Sequence, residues 1–125
     1  MTPLLFTCLS IAGGIGASTR FLFDGAIRSR ITVGYPLGTT IINVSGSFLL
    51  GLVAGLALGE VVNPQWQLIV GTGFLGGYTT FSTASFETIR LAQERRYGAA
   101  LTNGLGMLIG AVAAAGLGLW IGANG

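Results

Sequence analysis

The chain contains no histidine, no lysine and a single cysteine, Cys8. These absences remove most of the chemistry of enzymes and metal centres. Transition-metal sites rest on clustered His, Cys and carboxylate ligands, and covalent catalysis needs a nucleophile beside a base. One thiol with apolar neighbours forms no internal disulfide and says little about redox compartment. With no convergent catalytic set, an enzyme is the least favoured class. Charge is scarce too, at 8% of 125 residues, where a soluble domain carries about 25%. A formal net charge of +2 is far too small for a nucleic-acid surface.

What is present is hydrophobic, 51% of the chain, and the few charges are clumped. They leave four uncharged stretches, 1–19, 31–59, 61–86 and 97–125. Each can supply the roughly 20 apolar residues that a spanning helix needs. Lipid admits only helices or closed barrels, and the alternation of a barrel strand is missing. The sequence therefore predicts an all-α integral membrane protein, one four-helix domain over 1–125 with spans at about 3–24, 37–59, 66–90 and 97–121. The first stretch lacks a basic leader and runs directly into further spans, so it reads as a retained helix rather than a signal peptide. Pro36 and Gly38 open the second span and Asn63-Pro64 marks the turn before the third. Trp66, Tyr97 and Trp120 fall near span ends, where aromatic rings favour the interface.

Glycine is abundant, with 22 residues. Ser47, Gly51, Gly55 and Gly59 recur every four residues in the second span, and Gly106 and Gly110, with Gly104 nearby, repeat the pattern in the fourth. Such stripes let helix backbones approach closely, which matters where apolar surface gives helices little reason to associate. Four short helices enclose little interior, so an ion pathway would call for a second subunit.

Polar residues inside spans are costly and point to function. Thr39, Asn43 and Ser47 lie at i, i+4 and i+8 along one face of the second span, Asn103 starts a poorer face in the fourth, and Thr79, Thr80, Ser82, Thr83 and Ser85 crowd the third. These are neutral hydroxyl and amide groups; their O–H and N–H donors suit an anion better than a cation. The same hydroxyls could instead bond their own helix backbones. Within "GTGFLGGYTTFSTASFE" (71–87), Gly76-Gly77 followed by Thr79-Thr80 would weaken the helix through backbone freedom and competing side-chain bonds. Carbonyls freed at that depth need a partner: another helix, a cavity or an ion. Phe81 follows immediately, and its ring edge carries the positive side of the aromatic quadrupole.

The stretches "GGIGASTR" (13–20), "GTTIINVSGSFLLG" (38–51) and "GFLGGYTTFST" (73–83) resemble the Fluc, or CrcB-type, fluoride channels across all four spans. The resemblance implies a passive fluoride channel of the bacterial inner (plasma) membrane that exports toxic cytoplasmic fluoride and so confers fluoride resistance. It implies an antiparallel two-subunit assembly with two pores and a structural sodium ion at its centre. By motif, Asn43 is the amide donor to fluoride, Phe81 the first of two pore phenylalanines and Thr83 a neighbouring hydroxyl; Ser47 continues the Asn43 face. The carbonyls of Gly76 and Thr79, from both subunits, hold the sodium. Arg20 matches the arginine ending the first helix. Glu87 matches an acid that either accepts hydrogen bonds at the pore end or pairs with Arg90 or another arginine. One departure stands out: Ala84 occupies the second phenylalanine position. Phe86 lies about 200° further round a helix and cannot replace it on that face.

Four spans place the termini and the 60–65 loop on one side, and all six arginines (20, 28, 30, 90, 95, 96) on the other. Positive charge marks the cytoplasmic side, so a fixed orientation, paired with a related and oppositely oriented subunit, stands beside the homodimer. Two alternative functions accompany the channel. One is a non-conducting or half-functional subunit of a heteromeric channel. The other, a small multidrug-type exporter, needs a titrating carboxylate within a span, yet Asp24, Glu60, Glu87 and Glu94 all lie at predicted span ends.

Overall fold

The computed structural model describes residues 2–30 and 37–124. Pro36, expected to open the second span, lies outside the described residues, as do the rest of 31–36 and the side chain of Ser82. Among the described residues every regular element is helical: α1 Pro3–Arg30, α2 Leu37–Leu58, α3 over 64–78, α4 Phe81–Gln93 and α5 Tyr97–Asn124. Three of these, α1, α2 and α5, are long and apolar enough to cross a membrane. The third span is the pair α3 and α4, interrupted as expected.

Helix α1 continues to Arg30, beyond the first span of about 3–24. Arg28 Nε donates to Asp24 Oδ2 at 2.9 Å, a pair one turn apart that supports the helix rather than terminating it. Asn63 starts α3 by accepting the Gln65 N–H at 2.8 Å, and Pro64 takes the first helical position, where no N–H is needed. Over Gln67–Leu75 the helix widens to π-type bonding, and the Gly76 N–H reaches Gly71 O.

The break falls one turn later than the glycines. Gly76 is helical (φ −62°, ψ −39°), whereas Thr79 (φ −80°, ψ 158°) and Thr80 (φ −146°, ψ 120°) are extended. Backbone freedom at Gly76-Gly77 is thus not the cause of the interruption. Gly77 instead serves close packing: a Cβ there would lie 2.1 Å from Gly13 O, and one on Gly16 would lie 2.0 Å from Phe74 O. Thr80 then restarts the chain as the cap of α4, its hydroxyl accepting the Thr83 N–H at 3.2 Å.

Two seams of backbone against backbone hold the bundle. The first joins α1 to α3 through the glycines just named. The second joins α2 to α5: a Cβ on Gly51 would sit 2.1 Å from Ala115 O, and one on Gly118 2.1 Å from Phe48 O. The stripe expected in the fourth span is displaced toward its end. Gly110 meets only the Val44 side chain at 3.4 Å, and Gly106 only Thr102 of its own helix, so Gly118 and Gly122 make the close approach instead. Behind the break sit the buried side chains of Ile42, Leu75 and Tyr78, with the Phe74 and Tyr78 rings stacked at 6.2 Å.

Both α2 and α4 end in a Schellman turn. Glu60 N–H reaches Ala57 O and Val61 N–H reaches Leu56 O; Arg95 N–H reaches Ala92 O and Arg96 N–H reaches Leu91 O. The left-handed residue is charged in each case, Glu60 at φ 61° and Arg95 at φ 60°, where glycine would be relaxed. Arg95→Gly is expected to stabilise the chain by about 1 kcal/mol, seen as a higher melting midpoint in detergent; an unchanged midpoint would count against strain at this turn.

Candidate functional site

Breaking a helix strands hydrogen-bonding groups, and the surroundings of Thr79-Thr80 show where they go. Thr79 still closes on Leu75 O, through both its N–H and its hydroxyl at 2.9 Å. The Thr80 N–H, which would bond Gly76 O in an unbroken helix, goes to Asn43 Oδ1 at 2.8 Å. Asn43 Nδ2 returns a bond to Thr80 O, also at 2.8 Å. One amide from α2 therefore reads the backbone of the break in both directions, as a neighbouring strand would. The second hydrogen on Nδ2 points to Met107 Sδ at 3.1 Å, a weak acceptor. On the other flank, Arg20 Nε donates to Gly77 O at 3.3 Å. A cation at the carboxyl end of α3 opposes the helix dipole.

Beside this junction lies a cavity of about 490 Å³. Asn43 and Ser47 line it from α2, Thr79 and Thr80 from the break, Phe81, Ala84, Ser85 and Thr88 from α4, and Asn103 and Met107 from α5. Its wall is apolar surface studded with hydroxyls and amides, and no lining side chain carries a charge. Phe81 is 86% exposed, so its ring reaches beyond the subunit from the cavity edge.

Of the residues singled out from the sequence, Asn43, Ser47, Phe81 and Thr79 share this cavity. Thr83 is not among its lining; its N–H and hydroxyl both bond the Thr80 hydroxyl, at 3.2 Å, in the cap of α4. Gly76 lies one turn before the break on the exposed surface, its carbonyl released by the Thr80–Asn43 bond. Arg20, grouped with the loop charges in the sequence, belongs to the break.

Glu87 closes a second cluster at the end of the bundle. Its carboxylate accepts a hydrogen bond from the Thr39 hydroxyl and pairs with Arg28 Nη2 at 3.2 Å. Arg90 pairs instead with Glu94 at 3.5 Å. Arg28 also holds Asp24, whose second oxygen is buried against Gly38, in the first turn of α2, without a hydrogen-bond partner. The amino end of a helix favours such a carboxylate.

Sequence reasoning gave Asn103 too little weight. It is fully buried; its Nδ2 donates to Thr88 Oγ1 at 2.7 Å, and its Oδ1 has no partner. An amide in a span made mostly of glycine and apolar residues was the available signal.

Comparison with known proteins agrees with this architecture. The family model described as "CrcB-like protein, Camphor Resistance (CrcB)" matches residues 7–119. A protein of Leifsonia xyli named "Fluoride-specific ion channel FluC 1" is 62% identical over 122 residues, 98% of this chain and 89% of that protein. "Fluoride-specific ion channel FluC 2" of Cutibacterium acnes is 50% identical over 124 residues, covering 97% and 98%. "Fluoride-specific ion channel FluC 3" of Bifidobacterium longum is 45% identical over 97 residues, covering 78% and 80%. With its apolar helices and interrupted third span, the chain is a multi-pass membrane protein of the CrcB family.

Proposed function

We propose that this protein is a fluoride-selective channel that lets cytoplasmic fluoride leave the cell by passive conduction. The observation that carries the reading is the cavity at the break, uncharged and lined by apolar surface with neutral amides and hydroxyls, in a chain whose close relatives are named fluoride-specific ion channels. A bare fluoride must exchange its water shell for donors, and neutral N–H, O–H and aromatic edges provide them without trapping the ion. Asn43, Ser47 and Phe81 are the residues we assign to that contact, with Thr83 acting through the cap of α4 and Glu87 at the pore end. Fluoride accumulates as the trapped anion in acid-stressed cells because its neutral acid crosses membranes, so a passive path is enough to drain it. Catalysis has no place in this reading.

Phe81 projects out of one subunit, which supports completion of the pathway by a second, antiparallel subunit. Sodium fits the released carbonyl of Gly76 together with that of Thr79, since hard cations take oxygen ligands. No group of three or more His, Cys, Asp or Glu among the described residues offers a competing site. Bound there, the ion would supply positive charge tying the two broken helices together. The arginines suggest a fixed orientation with a related, non-identical partner, which stands beside the antiparallel homodimer. Removing Arg20 from the loop count leaves five on one side and none on the other.

The test is efflux from liposomes holding the purified chain, alone and with a co-expressed homologue. Fluoride efflux far above chloride efflux is expected in at least one preparation. Equal leakage of both halides from every preparation would refute the channel. Efflux only with the homologue present would select the heteromer.

A further inference from the structure

Glu87 sets a problem for an anion path. Its side chain is only 12% exposed, and it immediately precedes Thr88, which lines the cavity. The hydroxyl it accepts belongs to Thr39, a buried residue one turn along α2 from Asn43. A carboxylate in such a place is expensive within a span, and at short range its charge opposes the entry of another anion.

Arg28 answers both difficulties. Its Nη2 meets Glu87 Oε2 at 3.2 Å, while its Nε holds Asp24 Oδ2 at 2.9 Å. The planar guanidinium presents its donors in a rigid fork, so one side chain serves two carboxylates, as a lysine's single ammonium would not. Asp24 stands one turn earlier on α1 and steadies the fork as it reaches across to α4. Arg90, on the same helix as Glu87, is engaged with Glu94 instead. The Arg28 side chain is 56% exposed. The cation, not the acid, is therefore what this end of the bundle shows to solvent. As a tie between helices an exposed ion pair adds little stability. Its field is another matter, because low-dielectric walls focus charge onto an ion passing between them.

We propose that Arg28 is a positioning residue of the fluoride path, which neutralises Glu87 at the end of the cavity and so admits an anion past a largely buried carboxylate. The proposal rests on the fluoride-channel reading and adds to it a residue outside the cavity, on α1, that acts through Glu87.

The test is fluoride efflux from liposomes at two concentrations of an inert salt, with the homologue present where the wild type requires it. Arg28→Gln removes the charge and should melt with wild type in detergent. Its efflux should fall roughly 10-fold at about 10 mM salt, where the Debye length is about 30 Å, and return to within about 2-fold of wild type at 1 M, where it is about 3 Å. In a Glu87→Gln background the same substitution should change little at either concentration. Arg28→Lys keeps the charge without the fork and should conduct close to wild type. An Arg28→Gln loss of equal size at both salt concentrations would overturn the proposal, because a damaged structure is not mended by screening. Wild-type efflux from Arg28→Gln at low salt would overturn it as well, and would leave the channel reading standing. If Arg28→Gln does not fold, Arg28→Lys decides, and a deep loss in that variant at both concentrations counts against the proposal. No fluoride efflux from the wild type in any preparation would sink the channel reading and this proposal with it.

Discussion

Asn43→Ala is expected to reduce fluoride efflux by roughly 10- to 100-fold or more, and to loosen the break itself. Its side chain satisfies Thr80 N–H and Thr80 O, each at 2.8 Å, and truncation leaves both backbone groups wanting. An unsatisfied buried polar group costs about 1–3 kcal/mol, and each 1.36 kcal/mol on a barrier is tenfold in rate. The loss of the remaining Nδ2 hydrogen, now resting on Met107, removes a donor from the cavity as well. Asn43→Asp separates the two effects. It keeps an acceptor for Thr80 N–H but replaces the donor with a negative charge, so it should block fluoride at least as completely while disturbing the break less. Efflux assays paired with hydrogen exchange at Thr80 would read the two roles independently. Wild-type efflux from Asn43→Ala would remove this residue from the pathway.

The second large effect is structural. In Gly118→Val the new Cβ would lie 2.1 Å from Phe48 O and 2.8 Å from Leu52 N. Both are backbone atoms of α2, and no rotamer change can relieve them. Overpacking ordinarily costs about 1–3 kcal/mol, occasionally more, and this case forces two helices apart along the seam that joins α2 to α5. Against a total stability of about 5–15 kcal/mol, the variant should fail to give a monodisperse peak on size exclusion, or melt far below wild type. Gly116→Val, two residues earlier, meets nothing within 4 Å and should melt with the wild type in detergent. If Gly118→Val also does so, the seam is not what holds these helices.

The all-helical membrane fold was legible because hydrophobic length and charge clumping answer to the bilayer alone. Leu37–Leu58 falls within a residue of the expected 37–59. The break was legible in kind but not in cause. Gly-Gly and Thr-Thr both signal trouble for a helix, and only packing against Gly13 reveals that Gly77 serves contact while the threonines carry the interruption. Glycine stripes suffer from the same ambiguity. Gly106, Gly110, Gly118 and Gly122 look alike in sequence, and the choice among them depends on where α2 crosses. The polar face of Thr39, Asn43 and Ser47 was plain from spacing, yet its members diverge: Thr39 turns to Glu87, Asn43 to the break, Ser47 to the cavity. Asn103 needed Thr88, fifteen residues away on another helix, before it meant anything.

The two glycine seams have a mechanical consequence. Gly13, Gly16 and Gly77 make α1 and α3 one stiff plate, while Gly51, Gly55, Gly118 and Gly122 make α2 and α5 another. The covalent path from the first plate into α4 runs through two extended residues, and Asn43, mounted on the second plate, grips the latter of them. A shear between the plates would load that pair of amide bonds together with the close packing of Gly46 on Tyr78 and Thr79. The amide assigned to greet the anion is thereby also one of the pins between the plates, so sliding of one on the other would be felt at the site itself.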